Sequence, residues 1–487
     1  MKFNFKYIAI ITSIITITAC SKNFLEEPPR TVTIKDLIDN PATGADRILG
    51  AVYNKMFDWN IHSFAWIGVS SITSDEADKG STPGDGGTDK IELDGWLISP
   101  SNLSFNDVWE GNFDGIGRSN YAIQFFNQMD MAEATKNRYV GEAKFLRAYF
   151  YWNLLRCYGG VPKIDKVLAS QADIEAYSVR APASEIYAFI ESDLTDAMAK
   201  LPMTVTSKEY GRPTKFSAQA FLAKLYLYQK NWGLSKSMVD GIINSNQYDL
   251  LPEYADIWRE KGEFGKESIW EINAIGTNPP IGITGYTEVQ GMRGSGLDDY
   301  GWGFNVPSQD LINAYEPGDK RKEGTVLERG KVLWDGYQSN PNLPNPYYNY
   351  KAYVSKTAET YFDRGQSNKN LRIFKYGEML LIKAEVENEL GDTTAAKVAI
   401  NKLRARAGLG PIIAESKDKM REKIYHERLV EMAMEHDRTF DLRRTGRAGE
   451  VLRKQGKAYV DGKHDLFPIP QRQIDLSGGK ITQNPNY

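Results

Sequence analysis

Flat aromatic side chains crowd the stretches of this chain that are also rich in Gly, Pro and Asn, and that combination suits sugar binding. A pyranose ring has an apolar C–H face ringed by hydroxyls. Trp and Tyr planes on rigid loops cover that face, while neighbouring Asn, Asp and Arg bond the hydroxyls. The densest runs are Tyr300-Gly301-Trp302-Gly303-Phe304, Trp334-Asp335-Gly336-Tyr337 and Pro346-Tyr347-Tyr348, with Trp66 and Trp96 upstream. Trp96, Tyr300, Trp302 and Trp334 are the candidate platforms, and Trp66, Asp75, Asn102 and Arg293 their companions. A ring that removes roughly 70 Å² of apolar surface from water contributes about 2 kcal/mol. Two or three such contacts, less the cost of association, give micromolar to millimolar affinity, which suits capture and hand-off. The competing reading, strongest for any single residue, is that these rings pack the loops.

Catalytic patterns fare worse. His426-Glu427-Arg428-Leu429-Val430 lacks the second histidine that a helical zinc site needs four residues on. With four histidines in all and no paired-cysteine motif, no transition-metal site is expected. There is no glycine-rich phosphate loop before a Lys-Ser/Thr pair and no Gly-x-Ser-x-Gly elbow. Among 63 carboxylates a glycosidase-like pair is not excluded by counting, so a glycoside hydrolase stays as a minor alternative. Asp75, Glu76, Asp78, Asp85 and Asp89 form an acidic cluster that could take Ca²⁺. It lacks the fixed spacing of a calcium loop and reads as a solvated polar loop, so no cofactor is expected.

The elements that must position these residues begin after a leader. Lys2 and Lys6, the uncharged run Tyr7 to Ala19 and the closing Ile17-Thr18-Ala19-Cys20 resemble a bacterial lipobox. Residues 1–19 then form a signal peptide, Cys20 carries the lipid, and 20–38 are a tether. The alternative is an ordinary secretory signal that ends near a cysteine. The apolar run is too short to span a bilayer, and no later one is long enough. Lipidation of Cys20 leaves Cys157 alone, so an internal disulfide is impossible and the core must stabilise the protein. Hydrophobic content of 41% and charge of 25% are those of a globular protein, long enough for two or three domains. A net charge of −3 argues against nucleic acid as the main partner.

The body, 39–487, reads as helix pairs over roughly 39–270 and 371–450, aromatic insertions at roughly 60–104 and 271–370, and a docking segment at 451–487. Ala45–Phe57, Phe105–Met129, Asn137–Tyr158 and Pro182–Leu201 repeat apolar residues at helical spacing. Leu222, Ala223, Tyr226, Trp232, Val239 and Ile242 fall close to tetratricopeptide spacing, and so do Ala384, Ala396, Ile400 and Leu403 after a Gly391-Asp392 turn. These patterns predict a mainly α fold, a superhelical stack of degenerate tetratricopeptide-like helix pairs with a large irregular loop-rich ligand-binding face.

The stretch from Tyr425-His426-Glu427-Arg428-Leu429-Val430-Glu431 through His436-Asp437-Arg438-Thr439-Phe440-Asp441-Leu442-Arg443-Arg444 resembles the signature of the SusD/RagB family of Bacteroidetes outer-membrane lipoproteins. The ending Leu466-Phe467-Pro468-Ile469-Pro470, the lipobox, Trp109 to Asn120 and Phe145-Leu146-Arg147-Ala148 resemble it too. The resemblance implies a nutrient-binding lipoprotein on the outer membrane, facing outward, that passes oligosaccharides to a SusC-like TonB-dependent transporter. Some members resemble peptide-capturing proteins, so an oligopeptide ligand is the alternative. The charges Glu427, Arg428, Glu431, Glu435, Arg438, Asp441, Arg443 and Arg444 read as ion pairs docking a helix, in preference to an anion site.

Overall fold

The computed structural model describes residues 34–85, 87–277 and 284–487; the leader, Cys20 and the tether up to residue 33 lie outside them. The scaffold is a run of helices in which each packs on the next. It comprises α1 (Pro41–Met56), α2 (Leu103–Gln128), α3 (Glu133–Tyr158), α4 (Ala183–Lys200), α5 (Lys215–Tyr228), α6 (Trp232–Asn244), α7 (Tyr376–Leu390), α8 (Thr393–Arg406) and α9 (Lys417–Met432). α6 packs directly on α7 although the second insertion separates them in sequence. The helical stack is therefore continuous, and the insertion is extruded from it.

Local chemistry explains these boundaries. Asn231 and Asp392 cap α6 and α8, accepting from the amides of Leu234 and Ala395. Gly391 ends α7 in a left-handed conformation, φ +97°, that costs a residue without a Cβ little. Close approach within pairs follows from small residues: Ala384, Ala396 and Ala399 are buried between α7 and α8, and Ser235 on α6 bonds the carbonyl of Ala223 on α5 at 2.8 Å. α3 is buried on nearly every side, including Leu146, Phe150, Trp152 and Leu154, which marks it as the centre of the bundle. Its Arg147 forks onto Asp193 of α4 at 2.8 and 2.7 Å and reaches Asn120 of α2 at 2.7 Å, tying three helices together.

The two insertions form one layer. Strand β1 (Ala77–Gly80) comes from the first and β3 (Phe304–Pro307) from the second, and they pair antiparallel with Ala77 opposite Pro307 and Gly80 opposite Phe304. Strand β2 (Ser268–Ile272) pairs with β4 (Leu371–Lys375), closing the neck of the second insertion. The layer has its own apolar core, which includes Tyr254, Trp258, Met292, Tyr300, Tyr348, Tyr350 and Tyr353.

The polar stretch Ser74 to Gly80 is not a solvated loop, contrary to the sequence expectation. Ser74, Asp75 and Glu76 are buried because this segment feeds β1 through the interior. Among the described residues seven of the eight signature charges form ion pairs; Arg443 is the exception and lies over the Phe467 ring at 3.8 Å. Arg321 meets Glu427 at 2.5 Å and Asp319 at 2.8 Å; Glu431 meets Arg406 at 2.6 Å and Lys375 at 3.1 Å; Arg428 meets Asp441 at 2.9 Å and Glu378 at 3.0 Å. The final segment returns to α3, where the Phe467 amide donates to the Cys157 carbonyl at 2.8 Å and Asn484 donates to the carbonyls of Phe467 and Tyr158.

Candidate functional site

The end of the β1–β3 ribbon carries an aromatic ledge. Trp302, half-buried, lies 5.6 Å from Trp59 and 5.8 Å edge-on from Phe64, and Phe64 lies 4.8 Å from Phe304. Trp59 is 39% exposed, so part of this indole pair faces solvent. The ledge is fixed from several sides. Asp58 caps the short helix Trp59–His62 by accepting from the Asn60 amide at 2.8 Å. The Trp302 amide donates to the Glu288 carbonyl at 2.8 Å. Gly303 is required: its φ is +74°, and a Cβ there would meet Cβ of Arg293 at 2.8 Å.

Polar groups border these rings. Arg293 holds Asp85 at 2.6 and 3.0 Å and donates to the Ser81 hydroxyl at 3.3 Å. The Ser81 and Thr82 hydrogen bonds, with the Arg293 charge behind them, hold the Asp85 carboxyl down at about 2. Lys90 stands 3.9 Å over Phe64 and Lys79 5.2 Å over Phe304. Burial pulls the Lys79 ammonium below its usual range, and Asp85 and Asp94 partly restore it. From Ser81 a groove of about 670 Å³ continues along the ribbon, walled by Lys79, Thr82, Ile91, Val306, Asn345 and Tyr347. Flat rings, a planar guanidinium and an open groove fit a neutral, hydroxyl-rich chain with apolar faces better than a compact charged ligand. The acidic residues of this region each have a separate environment: Asp75 meets Arg438, Asp85 meets Arg293 and Asp89 meets Lys90. Among the described residues no group of three or more His, Cys, Asp or Glu is placed to hold a metal ion.

A model described as SusD family matches residues 266–487, and one described as starch-binding associating with outer membrane matches residues 29–227. The chain belongs to the SusD/RagB family. A relative, SusD-like protein P2 of Formosa agariphila, is 26% identical over 517 residues, 99% of either chain. A laminarin binding SusD-like protein of known structure is 26% identical, with 91% of this chain and 99% of that one covered at a TM-score of 0.77. Surface glycan-binding protein A from Bacteroides thetaiotaomicron, solved in complex with laminarihexaose, is 25% identical over 91% of this chain and 99% of that one, also at 0.77. Among the described residues no helix is long and apolar enough to cross a membrane.

In this SusD/RagB chain the residues singled out from sequence are scattered. Of them only Trp302 lies on the ledge, with Arg293 next to it against Gly303. Trp96 is a correction: it is 1% exposed, its indole N–H donates to the Thr73 carbonyl at 2.8 Å, and its ring packs on Phe467 at 5.7 Å and Tyr459 at 4.7 Å. Trp66 is also a core ring, stacked 5.7 Å from Phe440 with Arg156 beside it. Asp75 is locked by the Arg438 fork at 2.7 and 2.8 Å; burial opposes its charge, and the fork more than offsets that. Asn102 is a buried cap that accepts from the Ser104 amide and donates to Glu92. Tyr300 turns inward, away from Trp302, against Tyr353, Tyr337 and Tyr361 with Lys356 at 4.0 Å over its ring. Trp334 is 46% exposed but belongs to another part of the layer, 5.5 Å from the Arg259 guanidinium. The residue missed was Trp59. It sits at the edge of the first insertion, directly after Asp58, and that cap position is the signal that could have placed it at a fixed helix start.

Proposed function

We propose that this protein captures oligosaccharides at the Trp302–Trp59 ledge and delivers them to a TonB-dependent outer-membrane transporter, held at the membrane by a lipid on Cys20. The observation that carries the reading is the half-open indole pair near the Arg293–Asp85–Ser81 cluster, from which Ser81 leads into a groove of about 670 Å³. The laminarin binding relative and the laminarihexaose complex support the ligand class, and β-glucans of the laminarin type are the first ligands to try. In this reading the protein binds without turnover. Retention by a glucan in native gels, lost in Trp302→Ala and without new reducing ends, is the expected result. Release of reducing ends would establish a hydrolase, and retention by peptides alone would establish the oligopeptide alternative. Co-purification with a transporter from outer membranes tests the delivery step.

A further inference from the structure

We infer that a second carbohydrate subsite lies around Tyr210, beside the C-terminal end of α1. The inference rests on the glycan-capture reading above. Tyr210 is 41% exposed and lies flat on Phe264, with ring centres 4.3 Å apart and planes 17° apart. One face of the pair is thus used for packing, and the phenol presents a rigid apolar plate. Phe264 is held in the left-handed region at φ +52°, where its amide donates to the buried Glu271 carboxylate. A bulky residue kept there is a strained feature of the kind that marks a working surface.

Two hollows flank the plate. One, about 230 Å³, runs between Met203, Gln247, Tyr248, Phe264 and Trp270. The other, about 190 Å³, is walled by Tyr53, Met56, Phe57, Trp270, Asn273 and Ile275. They share Tyr210, Gly211, Arg212 and Trp270, so the plate divides one cleft in two. The Trp270 indole donates to the Gly211 carbonyl at 3.0 Å, fixing the shared wall.

The lining selects a neutral ligand. The Arg212 guanidinium is already matched by Asp46 at 2.9 Å and by Glu142 at 3.3 Å, so a carboxylate or phosphate would compete with built pairs. The other charged groups of the first hollow are Glu271, held by Arg372 and the Phe264 amide, and the exposed Lys266. The rest of the two linings is flat apolar surface with Thr204, Ser268 and the amide side chains of Gln247 and Asn273, the pairing that suits a pyranose face and its hydroxyls. Phe57 of the second hollow stands two residues before Trp59 of the ledge, so the C-terminus of α1 leads from one site to the other.

The test uses the protein with ¹³C-labelled methionine methyls and ¹⁵N-labelled indoles, titrated with laminarihexaose and maltohexaose. Met203 and Met56 report the cleft; the Trp59 indole reports the ledge. Shifts at both are expected. Trp302→Ala should remove the Trp59 response and leave the methionine responses. Tyr210→Ala should weaken the methionine responses at least tenfold and leave the Trp59 response, while Tyr210→Phe keeps both. Shifts confined to Trp59 would overturn the second subsite and leave the ledge reading intact. Methionine shifts that survive Tyr210→Ala would also overturn it, and silence at both places would overturn both readings.

Discussion

Replacing Trp96 and Trp302 separately by alanine divides the two roles that aromatic residues play here. Trp96 is enclosed by Phe467, Tyr459 and His464, and Arg443 stands 5.2 Å from its ring. Emptying a fully buried indole site costs about 3–5 kcal/mol. The Thr73 carbonyl, which accepts from the indole, would lose its side-chain partner and add up to about 1 kcal/mol. With an unfolding entropy of about 2.1 cal/mol/K per residue, a chain of this length unfolding as one unit loses about 1 °C of Tm per kcal/mol. Trp96→Ala should therefore melt about 4 °C lower, and Trp96→Phe, which keeps the stack and loses the N–H, about 1–2 °C lower. Trp302→Ala, at a half-exposed position, should shift Tm by less than about 2 °C and weaken glucan binding by about 10- to 30-fold, the equivalent of roughly 2 kcal/mol for one ring face. Differential scanning fluorimetry and affinity electrophoresis on the same samples read both quantities. The assignment is refuted if Trp96→Ala loses glucan at unchanged Tm, or if Trp302→Ala melts like a core mutant.

Three further substitutions probe other parts of the molecule. Asp75→Ala leaves the Arg438 guanidinium buried without its carboxylate and should cost about 3–5 kcal/mol, with much of the loss recovered in Asp75→Ala/Arg438→Leu; a normal melting curve with abolished binding would return Asp75 to the ligand site. His62 and His436 are held down at about 3, mainly by burial, with a smaller contribution from His436 on the first and from Lys351 on the second. Because the unfolded histidines titrate near 6.5, each contributes stability that is full above that pH and lost at up to about 1.4 kcal/mol per pH unit as pH falls toward 3. Glu76, raised to about 8 by burial, works oppositely and offsets one proton of that slope down to about 4.5. Glu263 and His464 titrate in the same window, so the reading lies in the difference. Between pH 6.5 and 4.5 the denaturant midpoint should fall less in His436→Asn, whose asparagine tolerates the local φ of +62°, than in the wild type, and identical pH responses would sink the assignment. Cys20→Ala should move the protein from the membrane fraction to the soluble one, and continued sedimentation with membranes would remove the lipid anchor from the proposal.

Much of the scaffold was legible because its signals are local and periodic. The apolar stripe of α3, the Asn231 and Asp392 caps and the Gly391 turn each depend on neighbours within a few residues. Most of the signature charges were also readable as docking pairs, since ionisable groups at helical spacing need partners wherever they are buried; Arg443, which stacks on Phe467 and has no carboxylate partner among the described residues, was not. Ring direction was not legible. Tyr300 and Trp302 are two residues apart, yet one faces the core of the loop layer and the other the ledge. Gly301 lies between them, pressed where a Cβ would clash with the Glu288 carbonyl, and the Tyr300 and Trp302 amides donate to different carbonyls, Met292 and Glu288. Trp96 looked like a loop platform because the segment that encloses it, Tyr459 to Phe467, is more than 350 residues away in sequence. Ser74 to Gly80 looked solvated for the same reason: its buried partner is Arg438.

That long-range dependence assigns a role to the buried charges. The net stability gained from an ion pair inside a protein is small, because desolvation offsets most of the attraction. Directionality is what remains, and these pairs sit where the loop layer meets the helices. Lys351 of the layer reaches Glu435 at 2.7 Å, the Tyr254 hydroxyl donates to the Glu431 carbonyl at 2.7 Å, and Ser308 beside β3 donates to the Asp75 carbonyl at 2.6 Å. Asp75 is in turn held by Arg438, so the Ala77–Pro307 end of the β1–β3 ribbon, opposite the ledge, is tied to the short helix Arg438–Arg444 through two contacts. A platform that gains only about 2 kcal/mol per ring loses much of it if the loop must be ordered on binding. Fixed orientation of the ribbon before the glycan arrives removes that cost. The Asp75 substitution should therefore weaken glucan binding modestly as well as stability, although Asp75 touches no ligand in this reading.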